Sequence, residues 1–145
     1  MPTNLFRRVL AAIDLGDEES AIRVTQAALE VIAGDDTLHI VNIVPNYGVG
    51  VVGSFFPPDH EEKAIAKAQE DLHAFTAKHV PERVHVQHII SHGSIYEEIL
   101  KAAKAVSADL VVVGSHRPEL KDYLLGPNAE RVARHFDGSV LVVRK

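Results

Sequence analysis

Residues 110–129, LVVVGSHRPELKDYLLGPNA, decide how this chain folds. A short run of Leu and Val stops at Gly114, a mostly polar stretch follows, and Gly126-Pro127 opens a segment in which Leu125, Ala129, Val132 and Phe136 recur at helical spacing. The pattern is a strand handed through a loop to a helix. The loop has two readings: a phosphate-binding loop, or an ordinary strand-to-helix connection with good turn chemistry.

The same alternation extends in both directions. Apolar runs of strand length lie at Val9 to Ile13, Leu38 to Val44, Val84 to Ile90, Leu110 to Val113 and Val140 to Val143. Between them, helical spacing recurs in Ala21, Val24, Ala28 and Val31, in Ala64, Ala68, Leu72 and Phe75, and in Ile95, Ile99, Ala102 and Val106. Strands alternating with helices predict right-handed crossovers and a parallel sheet covered on both faces. VLAAI, LVVV and VLVV are continuously apolar, as strands buried on both faces are, whereas VHVQHII partly alternates and reads as an edge.

Length and composition bound the rest. A chain of 145 residues fits one domain, residues 1–145, able to bury about 70% of its unfolded surface. A formal charge of −5 gives no global attraction to nucleic acid or anionic membrane, so any anion site must be local. With no cysteine there is no disulfide framework, thiolate metal site or cysteine nucleophile. No secretory signal precedes Leu5-Phe6-Arg7-Arg8, and no apolar run approaches the ~18 residues of a membrane span, so a cytoplasmic protein is expected.

Three histidines, His85, His88 and His92, sit in or beside the third strand. Side chains alternate across a strand, so His85 and His88 point to opposite faces, and His88 and His92 would be ~13 Å apart. Solvated or hydrogen-bonded histidines are the expectation, with no metal. The segment 45–60, PNYGVGVVGSFFPPDH, is long for an α/β connection and carries Val49, Val51, Val52, Phe55 and Phe56. Those side chains cover a ligand, a partner subunit or the domain's own surface.

Ligands on open α/β sheets bind outside the carboxyl ends of the strands where strand order reverses. If the sheet builds from strand one outward to two and three and then crosses to four and five, the reversal lies between strands one and four. There the turn IDLGDEES, with Asp14, meets the loop after Gly114. Gly114 permits a sharp turn and close backbone approach. Gly126 precedes a helix whose N-terminal N–H groups and dipole favour an anion, and His116, Arg117 and Lys121 add polar or cationic groups.

The loop, followed by AERVARHFDGSVLVVRK, resembles the C-terminal region of the universal stress protein family, whose nucleotide-binding members carry G-x2-G-x9-G-[ST]. The resemblance covers the whole chain: RRVLAAIDLGDEES, LHIVNIVP and HGSIYEEILKAAKAVSADLVVVGSH are similar to the family's first strand and turn, second strand, and third helix with fourth strand. SHRP...YLLG.NA is similar to a bacterial single-domain subgroup. The resemblance implies a three-layer, Rossmann-like α/β/α fold with a five-stranded parallel sheet ordered 3-2-1-4-5. It also implies ATP at the switch point and a homodimer through the last strand, Ser139 to Val143; an accompanying Mg²⁺ would be held by Asp14 or Asp122 through the phosphates. Carried onto this chain, Ala12 and Asp14 lie by the adenine and Ile43 contacts the base. Gly114 and His116 line the ribose and phosphate side, and Gly126, Pro127 and Asn128 lie at the phosphates; Arg117, which departs from the motif, offers its guanidinium to phosphate instead. Read from the residues alone, Asp14 is equally a helix cap before Ser20.

Three departures from the motif bear on function. Arg117 replaces the second glycine, the spacer to Gly126 is one residue short, and Pro127 stands where Ser or Thr would supply a hydroxyl and an N–H. Pro127 nonetheless suits the first turn of a helix. No G-x-S-x-G elbow, Walker lysine motif or acidic metal pattern is present, so catalysis is at most slow ATP hydrolysis. A C-terminal edge strand would invite pairing in a twofold dimer unless blunted by Arg144 and Lys145. Two functional classes remain open: a nucleotide-binding stress module, and a partner-binding homodimer with a degraded phosphate subsite.

Overall fold

A computed structural model describes residues 5–33, 36–44, 60–115 and 127–144. Among these, five strands and four helices alternate: β1 (Val9–Ile13), α1 (Glu18–Val31), β2 (Leu38–Val44), α2 (His60–His79), β3 (Val86–His92), α3 (Ile95–Ala105), β4 (Leu110–Gly114), α4 (Pro127–His135) and β5 (Ser139–Val143). All strand pairs are parallel, in the order β3-β2-β1-β4-β5. This is the order implied by the family resemblance.

Each sheet face carries its own apolar cluster. Val9, Ala11, Ile13, Leu38, Ile40, Leu110 and Val112 pack against Ala21, Val24 and Ala28 of α1 and Leu72 and Phe75 of α2. Leu10, Val41, Val111 and Val113 point the other way, onto Ile99, Ala102 and Ala103 of α3 and Ala129 and Val132 of α4. The period-two alternation thus fills both faces of β1 and β4, which is why those strands read as unbroken apolar runs. Burying each such Leu or Ile stabilises the fold by about 1.5–3 kcal/mol.

Local chemistry sets the element ends. Asp17 caps α1, its carboxylate accepting from the Ser20 N–H at 3.3 Å, with Glu18 and Glu19 in the first turn favoured by the helix dipole. After α3, Ser107 takes the left-handed conformation, φ 55°, while the Ala108 N–H reaches back to the Ala103 carbonyl at 2.8 Å. Gly93, φ 134°, turns the chain from β3 into α3 in a conformation open to glycine. α4 starts at Pro127, whose missing N–H costs nothing in a first turn.

β3 is an edge strand, as its alternation predicts, but it runs from Val86 to His92 instead of Val84 to Ile90. Val84 donates to the Pro81 carbonyl at 3.0 Å, so the first apolar residue of that run belongs to the turn after α2. The pairing then continues through Ile43↔Ser91 and Val44↔His92, carried by the length of β2 past the point where the apolar letters of β3 stop. Among the described residues, no helix is long and apolar enough to cross a membrane.

Candidate functional site

The sheet order reverses between β1 and β4, and the crevice outside their carboxyl ends is where ligands bind on open α/β sheets. The turn after β1 forms one wall. Its Asp14 carbonyl accepts from Asp17 N–H at 3.0 Å, and its carboxylate Oδ1 accepts from Gly16 N–H at 2.8 Å. Asp17, not Asp14, is the α1 cap, so the capping alternative for Asp14 is not the one the fold uses. Asp14 is exposed, and its Oδ2 receives no hydrogen bond from a described residue. A carboxylate held by one oxygen with the other open suits acceptance from an amine or from vicinal hydroxyls.

Asn42 was not legible as a site residue. It is 7% exposed on β2, directly beside Ile13, and its side-chain oxygen lies 3.5 Å from the Leu15 N–H. The contact is long, yet it ties β2 to the turn that carries Asp14. The signal in the sequence was an amide at the fifth letter of LHIVNIV, on the opposite strand face from the partly buried neighbour Ile43.

Ala12 and Ile43 lie on the opposite sheet face from Asn42. Both are partly buried and pack on the cluster that includes Val113, Ala129 and Val132. Ala129 belongs to the first turn of α4, so Ala12, Ile43 and the helix start that follows the loop share one cluster. Pro127 is exposed and Asn128 half-buried at that helix start. His116, Arg117 and Gly126, with Lys121 and Asp122, lie outside the described residues, as does the apolar segment 45–59.

Gly114 is needed for a reason the sequence did not show. A Cβ built on it would lie 2.5 Å from Ser20 Oγ and 3.4 Å from Val24 Cγ2, so α1 packs directly on the end of β4. The ladder continues one step further, with Ser115 donating to the Val143 carbonyl at 3.0 Å. From α1, Arg23 donates through Nε and Nη2 to the Arg144 carbonyl at 3.2 and 2.9 Å, fixing the chain just past β5. Among the described residues no cluster of three or more His, Cys, Asp or Glu could hold a metal ion.

Comparison with known proteins gives a consistent result. The sequence profile of the Universal stress protein family matches residues 5–144. Universal stress protein G of Shigella flexneri is 25% identical over 142 residues, 97% of this chain and 100% of that protein. A solved structure of MJ0577, a universal stress protein of Methanocaldococcus jannaschii, overlays with a TM-score of 0.77 at 23% identity and covers 97% of both chains. A universal stress protein solved in complex with cAMP overlays at 0.60 with 21% identity, covering 95% of this chain and 97% of that one. The chain belongs to the universal stress protein family.

Proposed function

We propose that this protein is an adenine-nucleotide-binding stress-response module, a cytoplasmic homodimer in which ATP occupancy changes conformation or partner choice. One observation carries the reading: at the sheet's reversal point, an exposed carboxylate with an open oxygen stands beside partly buried Ala12 and Ile43, which share a cluster with the first turn of α4. The small side chain of Ala12 leaves room beside the strand ends, and Ile43 offers an apolar surface to a flat base. Asp14 accepts from the exocyclic amine or the ribose hydroxyls, and the N-terminus of α4 favours the anionic end. A fold neighbour crystallised with cAMP lends the adenine reading further support.

ATP fits the adenine and ribose side of this donor set better than the phosphate side. Pro127 supplies no N–H, and the next residue, Asn128, carries donors that would replace it. Mg²⁺, when present, would be held chiefly through phosphate oxygens. This favours a second reading in which the dimer binds partners and the phosphate subsite is weak. Exposed Leu141 on β5, a strand paired with β4 alone among the described residues, supports the dimer in either case.

Amide chemical shifts on addition of ATP locate the ligand. Perturbations are expected at Ala12, Asp14, Leu15, Ile43 and Ala129. Shifts confined to other surfaces, or none at millimolar ATP, would overturn the reading.

A further inference from the structure

Of the chain's 9 histidines, His73, His79, His85, His88 and His92 fall between the last half of α2 and the end of β3. Two of them meet face to face. His73 of α2 stacks on His88 of β3 with ring centroids 3.8 Å apart and planes 26° from parallel. Thr76, one turn further along α2 and 7% exposed, places its hydroxyl 2.7 Å from His88 Nε2 and 3.2 Å from the His73 carbonyl. With the hydroxyl proton given to that carbonyl, Nε2 carries the hydrogen that the hydroxyl oxygen accepts. Nδ1 of His88 is then the atom that takes up a proton.

We propose that the stacked His73–His88 pair is an acid-responsive latch between α2 and the β3 edge, closed while both rings are neutral and opened when both are charged. The proposal does not depend on nucleotide binding. Stacking and the Thr76 contact hold neutral rings well, whereas two imidazolium rings at this separation repel. His73 is exposed and His88 half-buried, so solvent screens part of the repulsion, and the rest falls on the buried side of the pair. Among the described residues neither ring is bonded to a carboxylate. On α2, Lys67 and Asp71 pair with each other at 3.3 Å in solvent, Glu70 is exposed one turn before His73, and Lys78 and His79 add positive or titratable groups beyond it. On β3, His92 lies on the same face, while His85 precedes the strand. From β2, His39 reaches Gln87 on the opposite face.

Burial lowers the His88 imidazole below its ordinary value, and the charge of His73 lowers it further. A depressed histidine contributes stability that is complete above its unfolded value of 6.5 and is lost as pH falls through the folded value. The latch is therefore closed at neutral pH and loosens in acid. α2 supplies Leu72 and Phe75 to the core, so its release exposes apolar surface at one edge of the sheet and leaves the β1–β4 crevice to the other elements.

Hydrogen exchange on the full chain tests this, read as protection factors at about pH 7.5 and about pH 5. Protection in α2 and β3 should fall by about tenfold more than in α3 and β4, and His73→Phe, which keeps an aromatic ring over His88 but cannot charge, should shrink that excess while leaving the part due to burial of His88. A uniform loss across the sheet, or an unchanged excess in His73→Phe, would overturn the latch. Ring-proton titration of the wild-type chain gives a second reading that needs no variant: the His88 midpoint should lie below 6.5, and a midpoint at or above it contradicts the proposal.

Discussion

Ser107 holds φ 55°, a left-handed conformation that costs a residue with a Cβ about 1–2 kcal/mol. Ser107→Gly removes that strain at the end of α3 and gives back part of it as unfolded-state entropy. The net expectation is about 0.5–1 kcal/mol of added stability, read as a higher denaturant midpoint with an unchanged slope. Thr25 argues the same way from the core. It is fully buried in α1, and its hydroxyl finds no partner among the described residues, so the desolvation cost of the hydroxyl goes uncompensated. Thr25→Val keeps the shape and branching while removing the oxygen, and should stabilise by about 1 kcal/mol. A loss of stability would mean that the hydroxyl is bonded in solution. In the crevice, Asp14→Ala leaves the α1 cap at Asp17 in place and removes the open oxygen. Under the proposed function it should weaken ATP about tenfold or more, the scale of a lost hydrogen bond to a charged group.

At the scale of elements, strands and helices were legible because hydrophobic periodicity is set by core faces, and those faces run the length of β1, β2 and β4. The ends were less legible, since they depend on partners distant in sequence. β3 extends to His92 because β2 offers backbone groups that far, which the letters of β3 alone do not reveal. Asp14 read as a cap in IDLGDEES until the turn showed Asp14 bonded to Gly16 and Asp17, not Asp14, bonded to Ser20. Gly114 illustrates a constraint invisible in one dimension: its missing Cβ makes room for Ser20 of α1. A bulky side chain at 114 therefore presses on Ser20 and Val24 of α1, and lost binding in such a variant would not by itself locate the pocket. On β5, Leu141 is 37% exposed on a strand whose outer edge is unpaired among the described residues. If the homodimer forms through this strand, Leu141→Lys should shift the protein toward monomer in sedimentation, with little change in the monomer's fold. An unchanged sedimentation profile would place the dimer contact elsewhere.

For the whole molecule, the arrangement of strands matters more than any one motif. An order of 3-2-1-4-5 brings the carboxyl ends of β1 and β4, distant in sequence, side by side, and leaves β3 and β5 as the two edges. The site's proposed adenine side, Ala12, Asp14 and Ile43, is carried over from the family resemblance; periodicity fixes only that these residues lie at the ends of β1 and β2. Its phosphate side rests on a loop whose glycine spacing is common and whose sequence departs from the family motif at Arg117 and Pro127. Asn42, the buried amide beside the Asp14 turn, became visible only through packing. Calorimetric titration of nucleotide-free protein with ATP and with AMP, with and without Mg²⁺, tests the nucleotide claim most directly. The account predicts saturable ATP binding at about 100 μM or tighter, roughly −5.5 kcal/mol or better, weakened in Asp14→Ala. Equal affinity for AMP and ATP would point to the second reading, and no binding of either nucleotide at that sensitivity would contradict the account.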